Sequence, residues 1–161
     1  EALSRVLGNH VRQAGSLVNE HFLRFDFTHF EQLSREQIDE VEEIVNERIL
    51  DNIPLEFLES SLEEARTMGA KALFDEKYGD VVRVVRIPDF SMELCGGLHV
   101  DATGDIGLFK IVREEGIGAG TRRITAITGM EALKKYQQNL KSWIAFQICW
   151  PLQILPYWWS G

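Results

Sequence analysis

The sequence predicts an α+β fold, and three observations carry that prediction. A capped, amphipathic stretch opens at Ser34. The segments Phe22–Phe27 and Val81–Ile87 read as strands. Two further apolar runs face each other across the glycine-rich segment Gly116–Gly120, the pattern of a hairpin.

Taken in order, residues 1–8 continue a helix that ends near Gly8. The stretch His10–Val18 looks extended, with a break at Ala14-Gly15-Ser16. In Phe22–Phe27 the residues alternate: Leu23, Phe25 and Phe27 take one face, while Phe22, Arg24, Asp26 and His29 share the other face or its rim. Ser34 and Gln37 form a capping box, because each side chain can satisfy the other's free backbone N–H. Ile38, Val41, Ile44, Val45 and Ile49 then recur at helical spacing, and Pro54 follows the end of the helix. Leu55–Leu58 is a short strand. Ser60 or Ser61 caps a second helix with Glu63 or Glu64, and that helix ends near Gly69. Val81–Ile87 is a strand bounded by Pro88, and Leu108–Arg113 and Arg122–Thr128 pair as antiparallel strands. No internal repeat appears, nor any Pro-, Gly- or Ser-rich linker that would divide domains.

A chain of 161 residues is long enough for one good core, or one domain with an appendage. Cys95 and Cys149 give no disulfide framework, which points to a reducing, cytoplasmic compartment. The start EALSRVLG has no signal-peptide pattern and reads as the middle of a helix, as if cut from something larger. The net charge of −8 speaks at first against a nucleic-acid partner. Its distribution removes that objection: residues 31–64 hold twelve acids against two arginines, so the rest of the chain sums to +2. Arg83 and Arg86, Lys110 and Arg113, and Arg122 and Arg123 are basic pairs outside that region. Phosphate contacts need only a local basic patch, although scattered surface charge explains the same pairs equally well.

Cys95 and His99 form a Cys-x-x-x-His pair around the Gly96-Gly97 dipeptide. A thiolate and an imidazole at this spacing look like half of a zinc site, since zinc takes about four N or S ligands. Two glycines permit a tight turn on which both side chains converge and to which a ligand comes close. The plain alternative is an ordinary turn with a buried cysteine acting as a small hydrophobe.

The run SMELCGGLHVDATGDIGLFKIVREEGIGAGTRRITAITG resembles the editing region of alanyl-tRNA synthetases and of free-standing alanyl editing proteins. The family pattern is Cys-Gly-Gly-Thr-His, then Thr-Gly-x-Ile-Gly, then Gly-x-Arg-Arg-Ile and Thr-Gly. RVLGNHVRQAGSLV and LRFDFTHFEQLS resemble the same family in the same order, so the likeness covers roughly residues 1–140. It implies a two-layer fold, an antiparallel sheet packed against helices, similar to the editing domain of threonyl-tRNA synthetases. The implied activity is hydrolysis of the ester that joins a wrong serine or glycine to alanine tRNA.

The resemblance also implies roles for individual residues. Cys95 and His99 correspond to the second pair of zinc ligands, and the first is a His-x-x-x-His expected just before EALSRVLG. His10, His21 and His29 do not restore that spacing, so the zinc site is expected to be incomplete. Zinc would hold the substrate's amino group or polarise a water. Gln13 matches an editing-pocket residue whose amide orients substrate or water, with the Ser16 hydroxyl nearby. Gly96 and Gly97 give backbone access to the acyl group, and Arg122 and Arg123 contact phosphates near the tRNA acceptor end. Leu98 stands where the family usually has Thr, which removes a hydroxyl beside the ligands.

The implied partners are the acceptor end of alanine tRNA and the rest of a synthetase, with no DNA and no membrane. With no sign of an aminoacylation domain, amino-acid activation is not expected. Two other readings stand beside hydrolysis: a metal-free module that docks the acceptor end, and a structural piece inactive alone. The tail 141–161 differs in kind, for all four tryptophans lie within Trp143–Gly161 and Ser142–Gly161 carries no charge. Pro151 and Pro156 interrupt it as a membrane span. An interfacial anchor, a partner-binding tail and an out-of-frame or foreign end all fit it.

Overall fold

The computed structural model describes residues 1–72 and 79–149. Its elements are α1 (Ala2–Leu7), β1 (Gln13–Val18), β2 (Leu23–Thr28), α2 (Arg35–Leu50), β3 (Glu56–Ser61) and α3 (Leu62–Thr67). There follow β4 (Val81–Ile87), β5 (Ser91–Leu94), a 3-10 turn (Thr103–Ile106), β6 (Phe109–Gly118), β7 (Thr121–Thr128) and α4 (Gly129–Cys149). The fold is α+β. Its strands form two antiparallel sheets, one ordered β1-β2-β7-β6 and one ordered β3-β4-β5.

Each sheet has its own core. On the four-stranded sheet, Phe27, Phe109, Ile111, Ile124 and Ala126 pack against Val41 and Ile49 of α2 and Ala2 of α1. Ile38, Ile44 and Val45 complete the helical stripe as half-buried neighbours. The smaller sheet buries Val82, Val84 and Leu94 against Ala65 of α3 and Ala70. Both helix starts follow the sequence reading. The Ser34 Oγ accepts from the Gln37 N–H at 3.2 Å, and the Gln37 side chain accepts from the Ser34 N–H at 2.9 Å. Of the two caps open for α3, Ser61 with Glu64 is used.

Several elements depart from the sequence reading. β3 runs to Ser61, three residues beyond the expected end, because it pairs with β4 along its whole length. The short strand β5 was not anticipated. A turn at Pro88–Phe90, with Asp89 at φ 58 and the Phe90 N–H donating to the Ile87 carbonyl, folds it back on β4. The expected loop Gly116–Gly120 shrinks to Ala119-Gly120, since β6 continues to Gly118 through register shifts at 111/113 and 116/118. Gly120 has φ +69, and a Cβ there would stand 2.9 Å from the Phe30 ring. His29 sides with Phe27 and not with Arg24 and Asp26, for its ring stacks on Phe27 at 6.4 Å and on His10 at 5.1 Å. The break expected at Ala14-Gly15-Ser16 is a bulge, with the register shifting between Gln13 and Gly15.

α2 closes the edge of β6 with its side chains. The Asn46 amide donates to the Phe109 carbonyl at 2.9 Å and accepts from the Phe109 N–H at 2.8 Å. Glu42 accepts from the Ile111 N–H at 2.7 Å and from the Lys110 ammonium at 2.6 Å. Both partners of that ion pair are buried, and the Lys110 ammonium lies 5.1 Å above the Tyr136 ring of α4. The 3-10 turn is tied to the end of α2 through Thr103, itself buried, whose hydroxyl donates to the Arg48 carbonyl and accepts from the Ile53 N–H. Nearby, a Cβ on Gly107 (φ +70) would stand 2.9 Å from the Gly129 Cα, so the Thr-Gly-Asp-Ile-Gly and Thr-Gly motifs meet in space. α4 runs across residue 140, and the tail from 150 on lies outside the described residues. Among the described residues no helix is long and apolar enough to cross a membrane.

Glu42→Ala leaves Lys110 with a buried, unpaired charge, and denaturant titration should show a loss of about 3–5 kcal/mol. The pair replacement Glu42→Leu with Lys110→Met should recover only part of it. The Ile111 N–H still lacks its acceptor, which costs about 1–3 kcal/mol. An unchanged denaturation midpoint in Glu42→Ala would contradict the buried pair.

Candidate functional site

Leu94 ends β5 inside the smaller core and so sets the start of the next turn. The Cys95 N–H donates to the Arg83 carbonyl at 3.1 Å, the last backbone bond before the chain leaves the sheet. From β4, the Arg83 guanidinium reaches the carbonyls of Cys95 at 3.4 Å and Gly97 at 2.5 Å. It also lies over the Phe57 ring of β3, 4.7 Å from the centroid. The His99 ring meets the same phenyl at 6.4 Å, tilted by 56°. Cys95 is half-buried with a free thiol, and Gly96, Gly97, Leu98 and His99 are exposed. No heavy atom stands within 4 Å of a Cβ placed on Gly96.

The His99 imidazole has a pKa below its ordinary value. Partial burial of the ring is the main cause and the Arg83 cation adds to it, while the Glu93 carboxylate opposes both. A neutral imidazole has a lone pair for a proton or a metal.

Gln13 lies at the start of β1, and its amide donates to the Ser16 hydroxyl at 3.3 Å. It lines a small cleft together with Ser4, Arg12, Lys71 and Glu93. Glu93 lines the same cleft, and its charge weakly opposes the lowering of the His99 pKa. Thus the structure brings Cys95, Gly96, Gly97 and His99 onto one turn and sets Gln13, with Ser16 beside it, at a cleft whose lining includes none of those four residues.

Arg122 and Arg123 are elsewhere, on β7, separated from β1 by β2. Each is already engaged by a carboxylate. Arg122 forms a two-pronged pair with the deeply buried Glu114, its second contact at 2.9 Å. Arg123 grips Asp26 through bonds of 2.6 and 2.7 Å. A phosphate would have to displace those carboxylates to reach either guanidinium.

Among the described residues no group of three or more His, Cys, Asp or Glu side chains converges as a metal site. Cys95 and His99 are two donors of the right kind, and zinc takes three or four from a protein. The described residues therefore do not by themselves fit the ion. Sequence reasoning overlooked three members of this site: Phe57, Glu93 and, as more than a surface charge, Arg83. The signal for Arg83 was a cation in the midst of the apolar strand VVRVVRI. Phe57 and Glu93 carry no local signal, since only strand pairing brings them to the turn.

Residues 82–125, from β4 through the Cys95–His99 turn into β7, match the model of the threonyl and alanyl tRNA synthetase second additional domain. This segment belongs to that family. The chain is 60% identical over 132 residues to an alanine–tRNA ligase of Bacillus thuringiensis (strain Al Hakam), covering 82% of this chain and 15% of the relative. An alanine–tRNA ligase of Bacillus velezensis is 57% identical over 140 residues, 87% of this chain and 16% of the relative. One of Bacillus anthracis is 59% identical over 132 residues, again 82% and 15%. The chain thus spans about 15% of the length of the curated relatives it matches. Within this second additional domain the family match runs through Arg83 and Glu93 as well as Cys95 and His99.

The Asp26–Arg123 pair gives the domain a defined acid response. The hydrogen bonds from Arg123 hold the Asp26 carboxyl below its ordinary range; partial burial opposes them, and the charges of Arg123 and Arg24 assist. A pKa lowered by folding means that the pair stabilises fully above the ordinary carboxylate range and loses its effect as pH falls through the lowered value. Asp26→Asn should flatten the acid limb of melting temperature against pH. An acid limb identical to that of the unaltered chain would assign the acid response to other carboxylates.

Proposed function

We propose that this domain is an editing hydrolase module of an alanine–tRNA ligase, which cleaves the ester of serine or glycine wrongly joined to alanine tRNA. The observation that carries the reading is the exposed Cys95–His99 turn, where a free thiol and an imidazole flank two glycines. The need for such a site is physical. An activation site for alanine cannot exclude glycine by size, and a hydroxyl or methylene changes selectivity only about 10–200-fold.

In this reading the ester carbonyl lies against the turn. The Gly96 and Gly97 N–H groups have no hydrogen-bond acceptor among the described residues, so they are free to meet an oxygen on which charge develops. The Gln13 amide and Ser16 hydroxyl orient the aminoacyl group or the attacking water. Zinc enters the proposal with Cys95 and His99 as two of its ligands and the others from outside the described residues. The partners are the acceptor end of alanine tRNA and the remainder of the ligase, in the cytoplasm. Arg122 and Arg123 serve the acceptor end only where phosphate exchanges with Glu114 or Asp26.

A second reading, a tRNA-docking module without hydrolysis, is favoured by the two-donor metal set. Deacylation of serylated and glycylated alanine tRNA, with zinc added, separates the two. Hydrolysis that disappears in Cys95→Ala is the expected outcome. Absent hydrolysis with salt-dependent tRNA affinity would establish the docking module instead.

A further inference from the structure

The turn from Cys95 to Val100 has little backbone support of its own. Between the Cys95 N–H, bonded to Arg83, and the Asp101 carbonyl, bonded to the Leu55 N–H at 2.9 Å, no main-chain group bonds to another main-chain group among the described residues. Its hydrogen bonds inside that interval come from one side chain. The Arg83 Nη1 donates to the Cys95 and Gly97 carbonyls and so straddles Gly96.

The guanidinium is set in place from two sides. Its backbone belongs to β4, the central strand of the smaller sheet, where Arg83 pairs with Glu59 of β3. Its planar head rests on the Phe57 ring at 4.7 Å, a cation–π contact. The ring is held by the pairing of Phe57 with Val85. Unlike Arg122 and Arg123, which spend their charge on Glu114 and Asp26, Arg83 has no ion-pair partner among the described residues. Its donors are directed at carbonyl oxygens of the turn.

From this we infer that Arg83 is a positioning residue: its contacts with the Cys95 and Gly97 carbonyls and with Phe57 hold the Cys95–His99 turn in its working shape. The inference rests on the editing reading for its catalytic consequence and on geometry alone for its structural one. Arg83 touches no reacting atom. It determines where the Gly96 and Gly97 N–H groups and the Cys95 and His99 side chains stand. Misplacing such groups by about 1 Å costs on the order of a hundredfold in rate.

Backbone order parameters from NMR relaxation and deacylation, measured on the full chain, test the two consequences separately. In Arg83→Ala, order parameters across residues 95–100 should fall from about 0.85 to below about 0.6, while those of β6 and β7 stay as in the unaltered chain. Deacylation kcat should fall about tenfold to a hundredfold, with a smaller change in KM. Added guanidinium, at a concentration too low to denature, should restore part of kcat. Arg83→Lys should behave as an intermediate, since an ammonium reaches the carbonyls but lacks a planar face for Phe57. Unchanged order parameters across 95–100 in Arg83→Ala would overturn the positioning role. Lowered order parameters with unchanged kcat would overturn its bearing on hydrolysis. An unaltered chain without deacylase activity would sink the editing reading while the order parameters still decide whether Arg83 holds the turn. Should Arg83→Ala lose order throughout, the order parameters of Arg83→Lys decide the same question.

Discussion

The four-stranded sheet depends on a helix doing the work of a missing strand. β6 is an edge strand, and an open edge presents unpaired N–H and C=O groups. Here α2 supplies the pairing. The Asn46 amide offers Phe109 one donor and one acceptor, the same two contacts that a neighbouring residue in a ladder would make. Glu42 continues the row by accepting from the Ile111 N–H, and it does so as a buried carboxylate neutralised by Lys110. Such a pair is weak evidence for net stability, since desolvation offsets most of the attraction. What it does enforce is register. Slipping β6 by one residue would leave Glu42 without Lys110 and bury the wrong face of the strand. Register then propagates through Ile111↔Ala126 on β7 and Leu23↔Ala126 on β2 to β1, which carries Gln13.

How much of this was legible in the sequence depends on how local each cause is. The Ser34–Gln37 box and the stripe Ile38 to Ile49 are local, and α2 forms where they place it. Val81–Ile87 is a strand to the residue, because its β-branched run and Pro88 bound it at both ends. β5 has only four residues and exists because a turn at Asp89 lays it against β4. Nothing within SMEL announces that. The reading of His29 failed for a related reason: strand parity alone puts it with Phe27, and the stacking with His10 comes from residues outside the strand.

The candidate site divides along the same line. Cys95 and His99 share a turn, so their spacing reveals them. Gln13 and Glu93 are 80 positions apart in sequence and line one cleft only because tertiary packing brings strands of both sheets to it beside α1. The arginines show how little a basic residue says about its use. Arg122 and Arg123 look like a phosphate-binding pair, yet Arg123 answers to Asp26 and Arg122 to Glu114, carboxylates that strand pairing delivers. Arg83 looked like one more surface charge, and it is directed at the backbone of the candidate site.

This allocation of cations has a physical logic. On β7 the guanidinium groups face neighbouring strands that carry carboxylates, so they become part of the sheet. On β4, Arg83 stands opposite Glu59 of β3 yet makes no ion pair with it, and its donors go instead to the carbonyls of a turn stripped of backbone bonds. A turn stiffened by its own ladder would use up the N–H groups of Gly96 and Gly97. Stiffened instead through its carbonyls, it keeps those donors free and exposed. Supporting a loop from the acceptor side is therefore compatible with leaving its donors to meet an incoming oxygen, and an arginine, which has donors and no acceptor, is the side chain suited to that task.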